Sequence, residues 1–147
     1  AKHKITDMGN LKIIRNFNND STVFAVQAHM MEIVYNIIDN AYEAICEKHN
    51  ILTGENLKNF APEIAITLSK KDKITTIHIS DNGIGVKEEN LSKIFVPFFT
   101  TKSSTKSGTG IGMYIVKRII VENLKGRIWI ESTYMHGTDI FIELPNI

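Results

Sequence analysis

The sequence predicts an α+β domain: a two-layer α/β sandwich with helices covering one face of a mixed, mostly antiparallel sheet. Three observations carry that expectation. Residues 27–48 hold apolar side chains at helical spacing over six turns. Glu63 to Ser69 and Ile74 to Ser80 alternate apolar and polar residues with period two, as half-buried strands do, and Lys70-Lys71-Asp72-Lys73 between them suits a hairpin turn. Beyond residue 110 the chain repeats the sequence helix, strand, strand.

Each element follows from its residues. Residues 1–10 read as a leader, and a start at Ala1 without an initiator Met is the mark of a piece excised from a longer protein. Leu11 to Phe17 and Thr22 to Val26 are short strand candidates split by the polar turn Asn18-Asn19-Asp20-Ser21. In the long helix, Ile33, Val34, Ile37, Ile38, Ala41, Ala44 and Ile45 form the core side. Asn50 to Ala61, polar and Gly-containing, reads as an irregular connection, and Lys87 to Phe95 as a short helix after a glycine-punctuated loop. Residues 97–110 are Thr-, Ser-, Lys- and Gly-rich without apolar periodicity; a loop of that length in a small domain is usually a lid or a binding loop. Ile111 to Asn123 is helical, with Ile111, Ile115, Val116, Ile119 and Ile120 at core spacing. Gly126 opens a strand through Ser132. Gly137 opens the last, where Ile140, Ile142 and Leu144 alternate with Asp139, Phe141 and Glu143.

Composition narrows the function classes. The 147 residues make one domain with room for a substantial core, 43% apolar and 22% charged. A net charge of +1 gives no bulk attraction to nucleic acid or to an anionic membrane. Cys46 is the single cysteine, so no internal disulfide forms, which fits a reducing, cytoplasmic setting. No apolar run approaches the roughly 20 residues of a membrane span.

Three stretches carry chemistry. On the long helix, Glu32, Asn36, Asn40, Glu43 and Glu47 share a narrow sector. Asn competes with the helix for backbone groups, so two of them one turn apart beside the apolar face point to amides presented to a ligand; a solvated face is the alternative. Asp81-Asn82-Gly83-Ile84-Gly85 follows a buried strand. An ionised Asp there accepts from an exocyclic amine such as that of adenine, and the glycines let backbone approach a planar base, although Asp-Asn-Gly is also ordinary turn chemistry. Gly108-Thr109-Gly110-Ile111-Gly112 opens directly into a helix, whose first N–H groups suit a phosphate. No strand precedes it and no Gly-Lys-Ser/Thr ends it, so neither a Rossmann nor a P-loop reading holds. Asn40 offers an amide oxygen of the kind Mg²⁺ takes.

In order, Asn36-x-x-x-Asn40-Ala41, Asp81-x-Gly83-x-Gly85, Phe95-Val96-Pro97-Phe98-Phe99, Gly108-Thr109-Gly110-Ile111-Gly112 and Gly137-Thr138 resemble the five boxes of the ATP-binding domain of sensor histidine kinases, within the GHKL superfamily of gyrase-type ATPases. The resemblance runs from about residue 21 to 146. It implies the Bergerat ATP-binding fold, with ATP and Mg²⁺ held between sheet-side loops and a lid. It further implies that Asn40 is the metal ligand and Asn36 a phosphate- or metal-shell residue acting in catalysis. Asp81 becomes the adenine reader, Gly83 and Gly85 shape the base pocket, and Thr138 supports that pocket through Asp81. Phe95, Phe98 and Phe99 anchor the lid, Gly108, Gly110 and Gly112 are its hinge and phosphate-side backbone with Thr109, Ile111 and Met113 beside them, and Lys102 or Lys106 reaches the γ-phosphate. Glu43 stands where relatives carry a basic or aromatic residue, and Met113 where they carry Leu.

Gyrase-like members have a Glu, the general base for water, where this chain has Asn36. An amide takes no proton at neutral pH, which favours transfer to a nucleophile such as imidazole over hydrolysis; Glu32 or Glu43 acting through a water is the other source of a base. The partners implied are a histidine-bearing dimerisation segment outside this chain and a downstream response regulator. The rivals are a GHKL-type ATPase, an anti-sigma-factor serine kinase and a nucleotide-sensing module without catalysis. His3, His29, His49, His78 and His136 lack the surroundings of a phosphoacceptor, His78 reads as structural, and Trp129 packs.

Overall fold

In a computed structural model, residues 12–17, 27–99 and 112–145 are described. The elements are β1 (Lys12–Phe17), α1 (Gln27–Ile51), α2 (Gly54–Lys58), β2 (Glu63–Lys71), β3 (Ile74–Asp81), α3 (Gly112–Arg118), β4 (Arg127–Thr133) and β5 (Gly137–Pro145), with a 3₁₀ segment at Glu88–Lys93 and a π-helical turn at Ile119–Asn123. The sheet has five strands in the order β1-β2-β3-β5-β4. The strand candidate at 22–26 lies outside the described residues.

Alternation fixes which face of each strand meets the helices. Thr75, Ile77 and Ile79 of β3 and Ile140, Ile142 and Leu144 of β5 are buried, and α1 contributes Ile33, Ile37, Ala41 and Ile45 to the same core, with Met113, Val116, Ile119 and Ile120 from α3 and the turn after it. Burying one such isoleucine contributes about 1.5–3 kcal/mol, so the face of α1 is held mainly by packing. The β2–β3 hairpin closes on Asp72 and Lys73, both at positive φ, with Lys71 opposite Ile74; two left-handed residues match the twist of the flanking strands.

β1 pairs with β2 in parallel, the one parallel pair among the described strands of the mixed sheet; alternation within a strand carries no information about the direction of its neighbour. Two expectations change. The connection after α1 contains α2, a one-turn helix over Gly54–Lys58 that buries none of its residues. The helix after the glycine loop ends in a π turn, Leu124 N donating to Ile119 O at 2.9 Å, because the chain must swing into β4, where Gly126 passes so near Glu143 that a Cβ would sit 2.3 Å from its carbonyl oxygen.

On the opposite sheet face His78 stacks on Phe141 at 4.4 Å and Phe141 on Trp129 at 5.3 Å, while His78 Nε2 lies 2.7 Å from Asp139 Oδ1. His78 and Trp129 therefore have structural roles, as expected. Among the described residues no helix is long and apolar enough to cross a membrane.

Candidate functional site

The polar stripe of α1 forms the floor. Asn36 Nδ2 donates to the carbonyl of Glu32, one turn back, at 2.8 Å. That bond orients the amide so that its Oδ1 faces the start of α3, where a Cβ built on Gly112 would lie 2.8 Å from it. Glycine at 112 is thus what lets the start of α3 close onto the stripe. Asn40, one turn on from Asn36, is partly buried, and Glu43 is buried at 8% exposure.

The second wall is the Asp81 loop, and it is tied down through backbone. Asp81 ends β3 opposite Thr138 of β5. Its Oδ1 accepts the Gly83 N–H at 2.8 Å. Gly83 lies flat on α1, where a Cβ would meet the carbonyl carbon of Ala44 at 2.6 Å, and the next residue, Ile84, donates its N–H to Ala44 O at 2.9 Å. This contact, one turn beyond Asn40, joins the loop to the amide stripe. Gly85 has φ +74 and its Cβ would fall 2.3 Å from Thr133 O, so both glycines are required by close approach. Asn82 stitches the loop to the start of β2, accepting from Glu63 N and donating to Ala61 O, both at 2.8 Å.

Burial pushes the Asp81 carboxyl up to about 7, with the negative charge of Asp139 adding to the rise; the Gly83 N–H, Lys48 and the Thr138 backbone pull the other way. A carboxylate so little solvated is a strong acceptor for any donor that reaches it. Thr138 acts on Asp81 through backbone, while its hydroxyl lies 2.9 Å from Ser132 Oγ; Ser132 in turn donates to Gly137 O at 2.7 Å and accepts from Val86 N at 2.8 Å.

Two contributors escape sequence reasoning. Lys48 donates from Nζ to Asn82 O at 3.2 Å and to Met135 O at 2.8 Å, and covers the Phe60 ring at 5.0 Å. Ser132 links the β4–β5 turn to the loop. The available signal for Lys48 was its place one turn after Ala44, on the side that meets the loop.

Of the residues expected at the site, Asn36, Asn40, Glu43 and Gly112 share one end and Asp81, Gly83, Gly85 and Thr138 the other. Met113 is buried in the core, which is where its apolar side chain gains most. Phe95 packs against the core and Phe99 is partly buried with Lys93 Nζ 6.0 Å from its ring centre. Phe98 is 75% exposed at φ +67, so among the described residues it is not packed into the core as Phe95 is, and it fits instead the reading of Phe98-Phe99 as exposed apolar lid residues. Lys102, Lys106, Gly108, Thr109, Gly110 and Ile111 lie outside the described residues.

Residues 25–147 match the family model described as histidine kinase-, DNA gyrase B-, and HSP90-like ATPase. Sporulation kinase D of Bacillus subtilis is 33% identical over 117 residues, which cover 80% of this chain and 20% of that protein. Sensor protein RprX of Bacteroides fragilis is 31% identical over 140 residues, 92% of this chain and 25% of that one. The chain thus spans a fifth to a quarter of these relatives. The catalytic domain of histidine kinase ThkA superposes with a TM-score of 0.74 at 32% identity, over 99% of this chain and 86% of that domain.

Proposed function

This chain belongs to the family of histidine kinase-, DNA gyrase B- and HSP90-like ATPases, on its histidine kinase side, and from that premise we propose that it binds Mg·ATP and delivers the γ-phosphoryl group to a histidine on a dimerisation segment outside this chain. The observation that supports the reading is the joint made by Gly83 and Ile84 on Ala44, which brings the Asp81 loop onto α1 one turn beyond Asn40 and two beyond Asn36.

Adenine donates its exocyclic amine to Asp81, on a loop that Gly83 and Gly85 let pack tightly on the surrounding backbone. The triphosphate runs along α1 toward Asn36, under the start of α3. On donor chemistry a metal would fit this floor: Asn40, partly buried one turn on from Asn36, would supply a hard amide oxygen. When bound, Mg²⁺ neutralises charge on the phosphate oxygens. Asn36, held by the Glu32 carbonyl, orients the triphosphate without taking a proton. Imidazole nitrogen then forms a bond to the γ-phosphorus as the bond to the β-bridging oxygen breaks and ADP leaves, a step that needs alignment and charge stabilisation more than a resident base. The same lack of a base disfavours hydrolysis. A response regulator downstream and a cytoplasmic site of action complete the proposal.

Calorimetric titration with Mg·ATP against Mg·GTP is the test. The wild-type chain prefers ATP, Asp81→Asn erases the preference, and Asn40→Ala removes the metal-dependent part of the affinity. Unchanged affinities in both variants overturn the assignment.

A further inference from the structure

We infer that Glu43 is a second oxygen ligand of the divalent cation that accompanies the nucleotide, acting with Asn40 from the next turn of α1, in direct contact or through one of the cation's waters. The inference rests on the Mg·ATP reading above and deepens it.

Asn40 and Glu43 stand three residues apart on one helix, a spacing that brings Cβ atoms to within about 5–6 Å on the same face. Two oxygens so carried span the shell of a small hard cation, which binds oxygen at about 2.1 Å and keeps several waters. Glu43 is only 8% exposed, and among the described residues no ion pair engages it. Its helix carries one lysine, Lys48, whose ammonium is committed to the carbonyls of Asn82 and Met135. A buried carboxylate that no described residue pairs with is expensive. On this face the expense grows when a polyanion arrives, because Glu43 belongs to the stripe along which the triphosphate runs. A divalent cation between carboxylate and phosphates turns that repulsion into attraction. Bare ATP is then repelled by the site and Mg·ATP is drawn to it, so Glu43 makes nucleotide binding conditional on the metal.

The experiment titrates ATP into this chain over a series of Mg²⁺ concentrations and in EDTA, by calorimetry, for wild type, Glu43→Gln, Glu43→Asp and Glu43→Lys, each first checked by thermal unfolding. Glu43→Gln is expected to raise the Mg²⁺ concentration at half-saturation by about tenfold or more, while binding metal-free ATP more tightly than wild type does. Glu43→Asp falls between the two, and Glu43→Lys, which carries its own cation, binds ATP in EDTA almost as well as with Mg²⁺. An unaltered Mg²⁺ dependence in Glu43→Gln or Glu43→Asp overturns the inference and leaves the ATP reading standing, as does an equal loss of affinity with and without metal. Failure of the wild-type chain to bind ATP at all overturns the ATP reading itself.

Discussion

The two ends of the site are built differently. At the base end, Asp81, Gly83, Ile84, Gly85 and Asn82 are fixed by main-chain contacts to α1, β2 and the β4–β5 turn, and the glycines there press on neighbouring backbone. At the phosphate end, Asn36, Asn40 and Glu43 are side chains on a single helix, and the glycine opposite them, Gly112, presses only on the tip of the Asn36 amide. The base end is held by the protein's own backbone. On the proposed reading the phosphate end works through side chains instead, which would separate recognition of adenine from the handling of phosphate.

The sharpest way to break this contrast is to add side-chain atoms to a glycine at each end. Gly83→Val drives a side chain into the backbone of Ala44, which cannot yield without moving α1. We expect a loss of about 3 kcal/mol or more in unfolding free energy, with ATP binding lost. Equal stability of variant and wild type in urea unfolding contradicts the close packing of loop on helix.

Asp81→Asn separates stability from function. The folded carboxyl is pushed up to about 7 from its ordinary 3.8. The folded state therefore holds the proton more tightly, and the contribution of Asp81 to stability declines as pH rises from about 4 to about 7. The amide has no such penalty, so at pH 8 the empty variant should be more stable than wild type, by up to about 4 kcal/mol, yet about 10- to 100-fold weaker for ATP through loss of a charge-assisted hydrogen bond. In the wild type, affinity for adenine nucleotides should rise between pH 6 and 8, and this slope should flatten in the variant. Paired denaturation and binding titrations check both; lower stability of the variant at pH 8 removes the buried-charge account.

Lys48→Met leaves the carbonyls of Asn82 and Met135 without their donor and takes away a positive charge acting on Asp81. About 1–2 kcal/mol of stability should go, and the rise of ATP affinity with pH should shift to higher pH. An unmoved pH profile excludes Lys48 from the electrostatics of the base pocket.

Gly112→Ala sharpens the comparison from the other side. Here the new methyl meets a side-chain oxygen at 2.8 Å, and the Asn36 amide can turn aside. Stability should change by less than about 1 kcal/mol, while ATP affinity falls with adenosine affinity unaffected. Loss of both ligands together merges the two ends into one unit.

Much of the fold is legible in the sequence, and for a local reason. Helical spacing of Ile33, Ile37, Ala41 and Ile45 and the alternation of Ile140, Ile142 and Leu144 name their buried faces, because side-chain direction follows from backbone geometry alone. The α1 stripe and the glycine positions are legible for the same reason. The structure of α2 is not, since five residues that bury nothing leave no apolar period to read.

The chain alone determined which residues are polar where a core face would not need them, and hence the expectation that an amide pair, an acidic loop and a glycine turn serve a ligand. Tertiary structure decided what those residues touch. β1 runs parallel to β2, Ala44 meets Gly83, and Lys48 reaches Met135 across 87 positions of sequence. Period and propensity are properties of neighbours along the chain, whereas these contacts exist only once burial of the isoleucine face has brought distant backbone together, and it is that burial which lifts Asp81 toward neutrality.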